Sequence, residues 1–338
     1  MKTAVVILNW NGLELLKKFL PSVIDNSPQA KVYMADNAST DQSVEYVQKN
    51  FPEVGIIQNK VNGGFAKGYN DALSLLKEDV FVLLNSDVEV TPNWLVPLLK
   101  HLKTNPKTAI VQPKLLDYNR KDYFEYAGAA GGFVDTLGYP FCRGRIFDTI
   151  EKDEGQYDNL YPILWASGAC LVIRRSVFEE VGGMDETYFA HQEEIDLCWR
   201  VFNAGYQAMF IPKSTVYHLG GATLDAMNPK KTYLNFRNSL FNLLKNVPGK
   251  RAYILILLRL MLDGLAGIKF VFDGKFKHTI AILKAHFGFY RNYSKIYKKR
   301  KQQLPNKNYA KIGSIVWEYY LKGRKKFSEL KNGVFSTE

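Results

Sequence analysis

Cysteine is scarce in this 338-residue chain. Cys142, Cys170 and Cys198 are odd in number and share no metal-ligand spacing, which argues against a disulfide framework and for a reducing compartment. Long apolar runs are missing too. No stretch of about 18 apolar residues occurs, so no ordinary membrane-spanning helix is expected. Met1-Lys2-Thr3 leads directly into an apolar strand, without the basic, apolar and small-residue order of a secretory leader. Internal repeats and low-complexity segments are absent. With 46% hydrophobic and 23% charged residues, the composition excludes a disordered chain.

What is present is unevenly placed. The formal net charge is +12, yet residues 250–338 hold 20 Lys+Arg against 5 Asp+Glu, and residues 1–249 are slightly acidic. This divides the chain into a region 1–249 and a basic region 250–338, of which only the second asks for an anionic partner.

The first region alternates short apolar runs with helical patterns. Strands are expected at Thr3–Leu8, Lys31–Ala35, Val54–Gln58, Val80–Leu84 and Ala109–Gln112. Between them the pattern predicts helices at Leu13–Ile24, Ser43–Lys49 (with Asp41 as N-cap), Phe65–Leu76 and Pro92–Lys103. This alternation predicts an open, mainly parallel α/β sheet flanked by helices. Residues 118–165, rich in glycine and aromatics, read as a hairpin or mobile loop. Strands then return at Ala169–Ile173 and Gln207–Ile211, with helices at Ser176–Val181, Glu194–Ala204 and Pro229–Asn246. From Lys250 onward helix follows helix.

Ligands of open α/β sheets bind beyond the carboxyl ends of the strands. Polar clusters fall there: Asn9-Trp10-Asn11-Gly12, Asp36-Asn37-Ala38-Ser39-Thr40-Asp41 and Asn85-Ser86-Asp87-Val88-Glu89. The first cluster stands where a dinucleotide-binding oxidoreductase needs G-x-G-x-x-G, which removes that reading. Asp87 and Glu89, one residue apart in an extended segment, point to the same side and can hold Mg²⁺ or Mn²⁺ beside a diphosphate, or can simply be a solvated turn. In Asn62-Gly63-Gly64-Phe65-Ala66-Lys67-Gly68, the glycines permit close backbone approach and Lys67 can meet a phosphate. Glu193 and Glu194 open a helix, where the dipole favours acidic residues in any case. Asp196 and Arg200, four apart, are placed to pair with each other.

These five motifs, in this order and closed by Glu193-Glu194-Ile195-Asp196-Leu197, resemble glycosyltransferase family 2, nearest its rhamnosyltransferase-like bacterial branch, over about residues 3–245. The resemblance implies a GT-A fold and an inverting transfer of sugar from a nucleotide-diphosphate donor, such as dTDP-rhamnose or a UDP-sugar. It makes Asp36 the reader of the base edge, Trp10 a stacking surface, and Ser86 the group near the ribose, with Asn62, Gly64 and Lys67 also on the nucleotide. Asp87 becomes the main metal ligand, with Glu89 and His218 (in Val216-Tyr217-His218-Leu219-Gly220-Gly221) as further ligands. Glu194 takes the position of the catalytic base, with Glu193 the alternative. Trp165, Ser167 and Gly168 fall where the family lines the donor–acceptor junction.

The implied activity is a metal-dependent glycosyltransferase acting on a glycan or lipid-linked acceptor in cell-surface polysaccharide assembly. Its expected location is cytoplasmic and peripheral, at the inner face of the cell membrane. In the tail, Tyr290, Tyr293 and Tyr297 alternate with Arg291, Lys295 and Lys298-Lys299-Arg300-Lys301, a composition suited to an anionic membrane surface rather than nucleic acid. The rival readings are a nucleotidyltransferase, which lacks its Gly-rich loop here, and a non-catalytic sugar-nucleotide-binding protein at the membrane.

Overall fold

The computed structural model describes residues 1–220, 228–300 and 308–330. The chain begins as the apolar alternation predicts, with β1 (Thr3–Asn9), α1 (Leu13–Asp25), β2 (Lys31–Asp36), α2 (Ser43–Asn50), β3 (Gly55–Gln58), α3 (Gly64–Leu73) and β4 (Val80–Asn85). These four strands run parallel, with β1 between β2 and β4. The strands β1, β2 and β4 are buried on both faces, whereas β3 is a partly exposed edge. In β4, Val80, Val82 and Leu84 join one apolar cluster while Phe81 and Leu83 join the other, so the sheet separates two cores.

Next come β5 (Val88–Val90), α4 (Leu95–Thr104) and β6 (Thr108–Asp117). Residues 118–165, expected as a hairpin or mobile loop, do form hairpins, through β7 (Gly132–Val134), β8 (Pro140–Cys142), β9 (Arg145–Ile146) and β10 (Thr149–Ile150), followed by β11 (Tyr161–Ile163). The first four of these make a small antiparallel sheet of their own. The chain continues through β12 (Cys170–Arg174), α5 (Arg175–Glu180), α6 (Glu193–Asn203), β13 (Gln207–His218) and α7 (Pro229–Asn246). The main sheet has the order β11-β13-β6-β12-β4-β1-β2-β3, with β5 against the far end of β13.

Strand β13 runs well past its expected end at Ile211. Ile211 pairs with Pro113 and the next registered pair is Thr215 with Lys114, so residues 212–214 bulge out of the ladder. The bulge absorbs Pro212, which cannot donate to a ladder, and the strand resumes to His218.

Beyond Pro248 and Gly249 lie α8 (Arg251–Phe272) and α9 (Phe276–Lys299), then a π-helical turn at Trp317–Leu321 and a 3-10 turn at Phe327–Glu329. The change of composition at 249/250 is not a break in packing. The amide of Thr136 donates to Ile312 O at 2.9 Å, and that of Ile315 to Asp135 Oδ2 at 2.8 Å. Phe327 packs into the core beside Phe133, Phe141 and Tyr157. Lys301 and Gly221, parts of the basic run and of the His218 motif, lie outside the described residues.

Candidate active site

The strand ends gather the polar clusters. Asn9 Nδ2 donates to Asp36 Oδ1 (3.1 Å), Ser39 Oγ (3.2 Å) and Ser43 Oγ (2.9 Å). Asp36 Oδ2 accepts from the Ser39 amide at 3.0 Å, so this buried carboxylate is built into the turn after β2. Asp41 accepts from the amides of Leu13 and Ser43, tying the starts of α1 and α2 together. The N-cap position itself falls to Gln42. Trp10 stands free above this lattice, with about half its surface exposed (51%).

The loop 59–64 is locked by amides. Asn37 Nδ2 donates to Asn62 Oδ1 (3.0 Å) and Gly64 O (3.1 Å), and Asn62 Oδ1 also takes the Gly64 amide. Gly64 has φ +79°, and a Cβ there would lie 2.5 Å from Phe189 O, so both conformation and space demand glycine. The next amide, of Phe65, donates to that same Phe189 oxygen at 2.9 Å. Lys67 points along its own helix to Asp71 (2.8 Å).

Asp87 sits in the turn between β4 and β5, buried, and meets His218 from the end of β13: Nε2 to Oδ1 is 3.1 Å. The other imidazole nitrogen, Nδ1, lies 3.1 Å from Glu125 Oε1. Burial opposes charge on His218, but Glu125 and Asp87 outweigh it and lift the imidazole up to about 10. Glu125 has no motif around it, and sequence reasoning missed it. It comes from the irregular stretch after β6, where its backbone is pinned to Leu115. Glu89 is not brought to this pair. Asp87 belongs to the turn rather than to β5, so the same-side rule for alternate strand residues does not join them, and Glu89 Oε1 takes Lys121 Nζ at 2.5 Å instead.

His218 Nε2 and Asp87 Oδ1 are at hydrogen-bond distance, a separation that two ligands of one divalent ion would also have. Neighbouring ligands of one octahedral ion with bonds near 2.1 Å lie about 3 Å apart, which is the spacing seen. Among the described residues no group of three or more His, Cys, Asp or Glu side chains could hold the ion alone. Diphosphate oxygens and water would complete its shell, the usual arrangement for hard cations on phosphate substrates. Glu125 then has the place of the carboxylate that orients a ligating histidine.

The second acidic group opens α6. Phe189 (φ +67°), His191 (φ +67°) and Gln192 (φ +71°) are all left-handed without being glycine, each at a cost of roughly 1–2 kcal/mol. Helix α7 holds this strained turn. Asn238 Nδ2 donates to the carbonyls of Tyr188 (3.2 Å), Ala190 (3.0 Å) and His191 (2.7 Å). Asn242 bonds Tyr188 Oη and Gln192 Oε1, and Lys245 bridges Asp185 (2.8 Å) and Asp196 (2.9 Å). From the other side, Asn70 of α3 clasps both the amide and the carbonyl of Met184.

Within this frame the acidic residues differ. Asp196 is fully buried and paired with Arg200 (2.8 Å) and Lys245, the structural role its spacing suggests. Glu193 is buried with Oε2 unpartnered; burial, then the charge of Glu194, pushes its carboxyl well above the usual range. Glu194 is partly exposed, and desolvation raises it to about 7.

The junction residues behave differently from one another. Trp165 is core: its indole donates to Phe133 O at 2.8 Å and lies flat against Gly132. Ser167 is buried in the turn before β12, where its Oγ takes the Ala169 amide. Gly168 faces the Phe65 ring, where a Cβ would sit 3.0 Å away. Ser86 is partly exposed beside Gly12.

A mainly parallel sheet flanked by helices in this order is the framework of a GT-A glycosyltransferase. The chain belongs to glycosyl transferase family 2, whose family model matches residues 4–182. It is 29% identical over 233 residues to an N-acetylglucosaminyl-diphospho-decaprenol L-rhamnosyltransferase of Mycobacterium tuberculosis, covering 63% of this chain and 75% of that one. It is 23% identical over 221 residues to rhamnosyltransferase WbbL of Escherichia coli, covering 63% and 82%. Among solved structures it is similar to GalNAc-T7 with UDP, GalNAc and Mn²⁺, with a TM-score of 0.56, 19% identity and coverage of 72% of this chain and 47% of that one. It is also similar to the Pyrobaculum calidifontis mannosyltransferase PcManGT with GDP-Man and Mn²⁺, with a TM-score of 0.53, 13% identity and coverage of 86% and 87%. At these identities the solved structures speak for the fold alone.

Proposed function

We propose that this glycosyltransferase moves a sugar, with inversion, from a nucleotide-diphosphate donor to a hydroxyl of a glycan or lipid-linked acceptor. The rhamnosyltransferase relatives support dTDP-rhamnose as donor, with UDP-sugars the next choice, and cell-surface polysaccharide assembly in a bacterium as the setting. The observation that carries the mechanism is Glu194, partly exposed at the start of α6 and raised to about 7 by desolvation. A base poised near neutrality accepts a proton with the least penalty at working pH.

Glu194 accepts the acceptor hydroxyl proton as that oxygen bonds to the anomeric carbon, while the bond from that carbon to the diphosphate breaks. Glu193, protonated beside it, adds no competing charge. Asp87 and His218 would hold Mn²⁺ or Mg²⁺, which when bound would supply Lewis-acid stabilisation of the charge on the departing diphosphate. Trp10 offers its exposed face to the base. Asp36, Asn62 and Gly64 shape the wall behind it, while Ser86 and Gly168 border the sugar. Residues 250–338 keep the enzyme at the inner face of an anionic membrane, where a lipid-linked acceptor resides.

A panel of nucleotide sugars, screened with Mn²⁺ for thermal stabilisation and slow hydrolysis, identifies the donor. With that donor, Glu194→Gln keeps its affinity and loses about 10²–10⁴-fold in transfer rate. The wild-type rate rises through about pH 7, because the ionised carboxylate is the active form. Near-normal turnover by Glu194→Gln sinks the assignment.

A further inference from the structure

Helix α8 is inside out. Between residues 252 and 268 its only charges are Arg259 and Asp263, and both are buried against the protein. Arg259 Nε donates to Asp263 Oδ1 at 2.8 Å, its guanidinium lies 3.6 Å from the centre of the Tyr139 ring, and His286 of α9 reaches Asp263 Oδ2 at 3.3 Å. The opposite face carries Ile254, Leu257, Leu258, Met261, Leu265 and Ile268, all exposed. Helix α9 also turns apolar residues outward, Phe276, Ile280, Leu283, Phe287 and Tyr290, with Phe287 at 73%. Phe272, at the turn between the helices, is 86% exposed.

A helix in water places its apolar stripe on the core and its charges outside. In α8 the charges are spent on docking, and in both helices an apolar stripe is left bare, over about 21 Å from Ile254 to Ile268 and about 21 Å from Phe276 to Tyr290. Such a surface exceeds the scattered exposed residues normal for a protein in water. What borders it chooses the occupant. Lys277, Lys284 and Arg291 recur at heptad spacing beside the apolar stripe of α9, and all three are exposed. Long basic side chains flanking an apolar strip let the strip enter hydrocarbon while the charges stay with anionic headgroups. Both helices are packed along one side against the rest of the protein, so lipid can reach only the outer side, and no described helix is long and apolar enough to cross a membrane.

We propose that the α8–α9 hairpin lies in the plane of a bilayer with its outer face inserted among the acyl chains, so that membrane contact is made by apolar insertion and only trimmed by charge. The proposal rests on the membrane location given above and deepens it from surface attraction to insertion.

Deleting residues 250–338 cannot test this, because Phe327 and Ile315 from that stretch are core residues. Point variants on the exposed face can. The full chain is co-sedimented with vesicles of phosphatidylcholine, alone or with phosphatidylglycerol, in low salt and in salt that cuts the Debye length to about 3 Å. Wild type stays bound to both vesicles at high salt. The triple variant Leu257→Asp, Met261→Asp, Phe287→Asp loses more than about a hundredfold in partitioning, with an unchanged melting temperature. Lys277→Gln, Lys284→Gln, Arg291→Gln loses only its preference for phosphatidylglycerol. Binding confined to phosphatidylglycerol vesicles, abolished by salt and insensitive to the aspartates, overturns insertion and leaves the surface location standing. Failure to bind any vesicle, together with concentration-dependent dimers that the aspartates dissolve, makes the face a contact between two copies and removes both readings. Nucleotide binding in solution is unaffected throughout, so the catalytic reading is tested separately.

Discussion

Helices α7 and α8 follow one another in the chain, and both turn polar side chains inward. In α7 those side chains act on the site. Asn238, Asn242 and Lys245 grip the backbone and carboxylates of residues 185–196, and the second half of the helix is enclosed on every side. In α8 the inward pair, Arg259 and Asp263, only fixes the helix to Tyr139 and His286, and the outer half is bare. Buried polarity thus serves two ends in neighbouring helices. One use imposes a strained backbone on a catalytic turn, and the other leaves a whole helix face free for a second solvent.

Matched changes on the two helices test that contrast. Lys245→Met on α7 should cost the most, about 3 kcal/mol in urea unfolding, because it removes the buried cation that Asp185 and Asp196 share and leaves Asp185 to Lys299 and Asp196 to Arg200. A loss below about 1 kcal/mol would mean that other groups carry the turn. Asn238→Ala should cost about 1–3 kcal/mol, since three carbonyls lose a donor. Amide exchange at Tyr188–Gln192 should quicken with it; unchanged exchange would separate α7 from the catalytic turn. Leu257→Ser on α8 should stay within about 0.5 kcal/mol of wild type, as expected of a side chain that supports nothing in water. A cost of core size would show that its outer face is covered.

The parallel half of the fold was legible because each of its elements is decided locally. Val80–Asn85 is apolar on both faces, and only a central strand between two cores needs that. Residues 118–165 were legible only as a hairpin or loop, not as a sheet of several strands. Their strands are two or three residues long, and the small sheet is completed by Phe327, which stacks on Phe133 and Phe141 from almost two hundred residues away. The site divides in the same manner. Asp87, His218 and Glu194 stand in motifs, so their neighbourhood could be read. Glu125 has no motif, and only the path of the chain after β6 brings it to His218. Glu89 carried the right spacing to Asp87, but spacing implies a shared side only where both residues belong to one strand.

The bulge in β13 bears on His218 through odd and even numbers. Before it, the even residues Ala208 and Phe210 enter one core; after it, the even residue Val216 enters the other, and Tyr217 takes the first. Three extra residues are an odd count, so they reverse the phase of the strand. His218, two residues beyond Val216, meets Asp87 on the face that this reversal assigns to it. The stretch 212–214 therefore works as a phase switch: its length can change in steps of two without moving the histidine to the other face of the sheet, but not in steps of one.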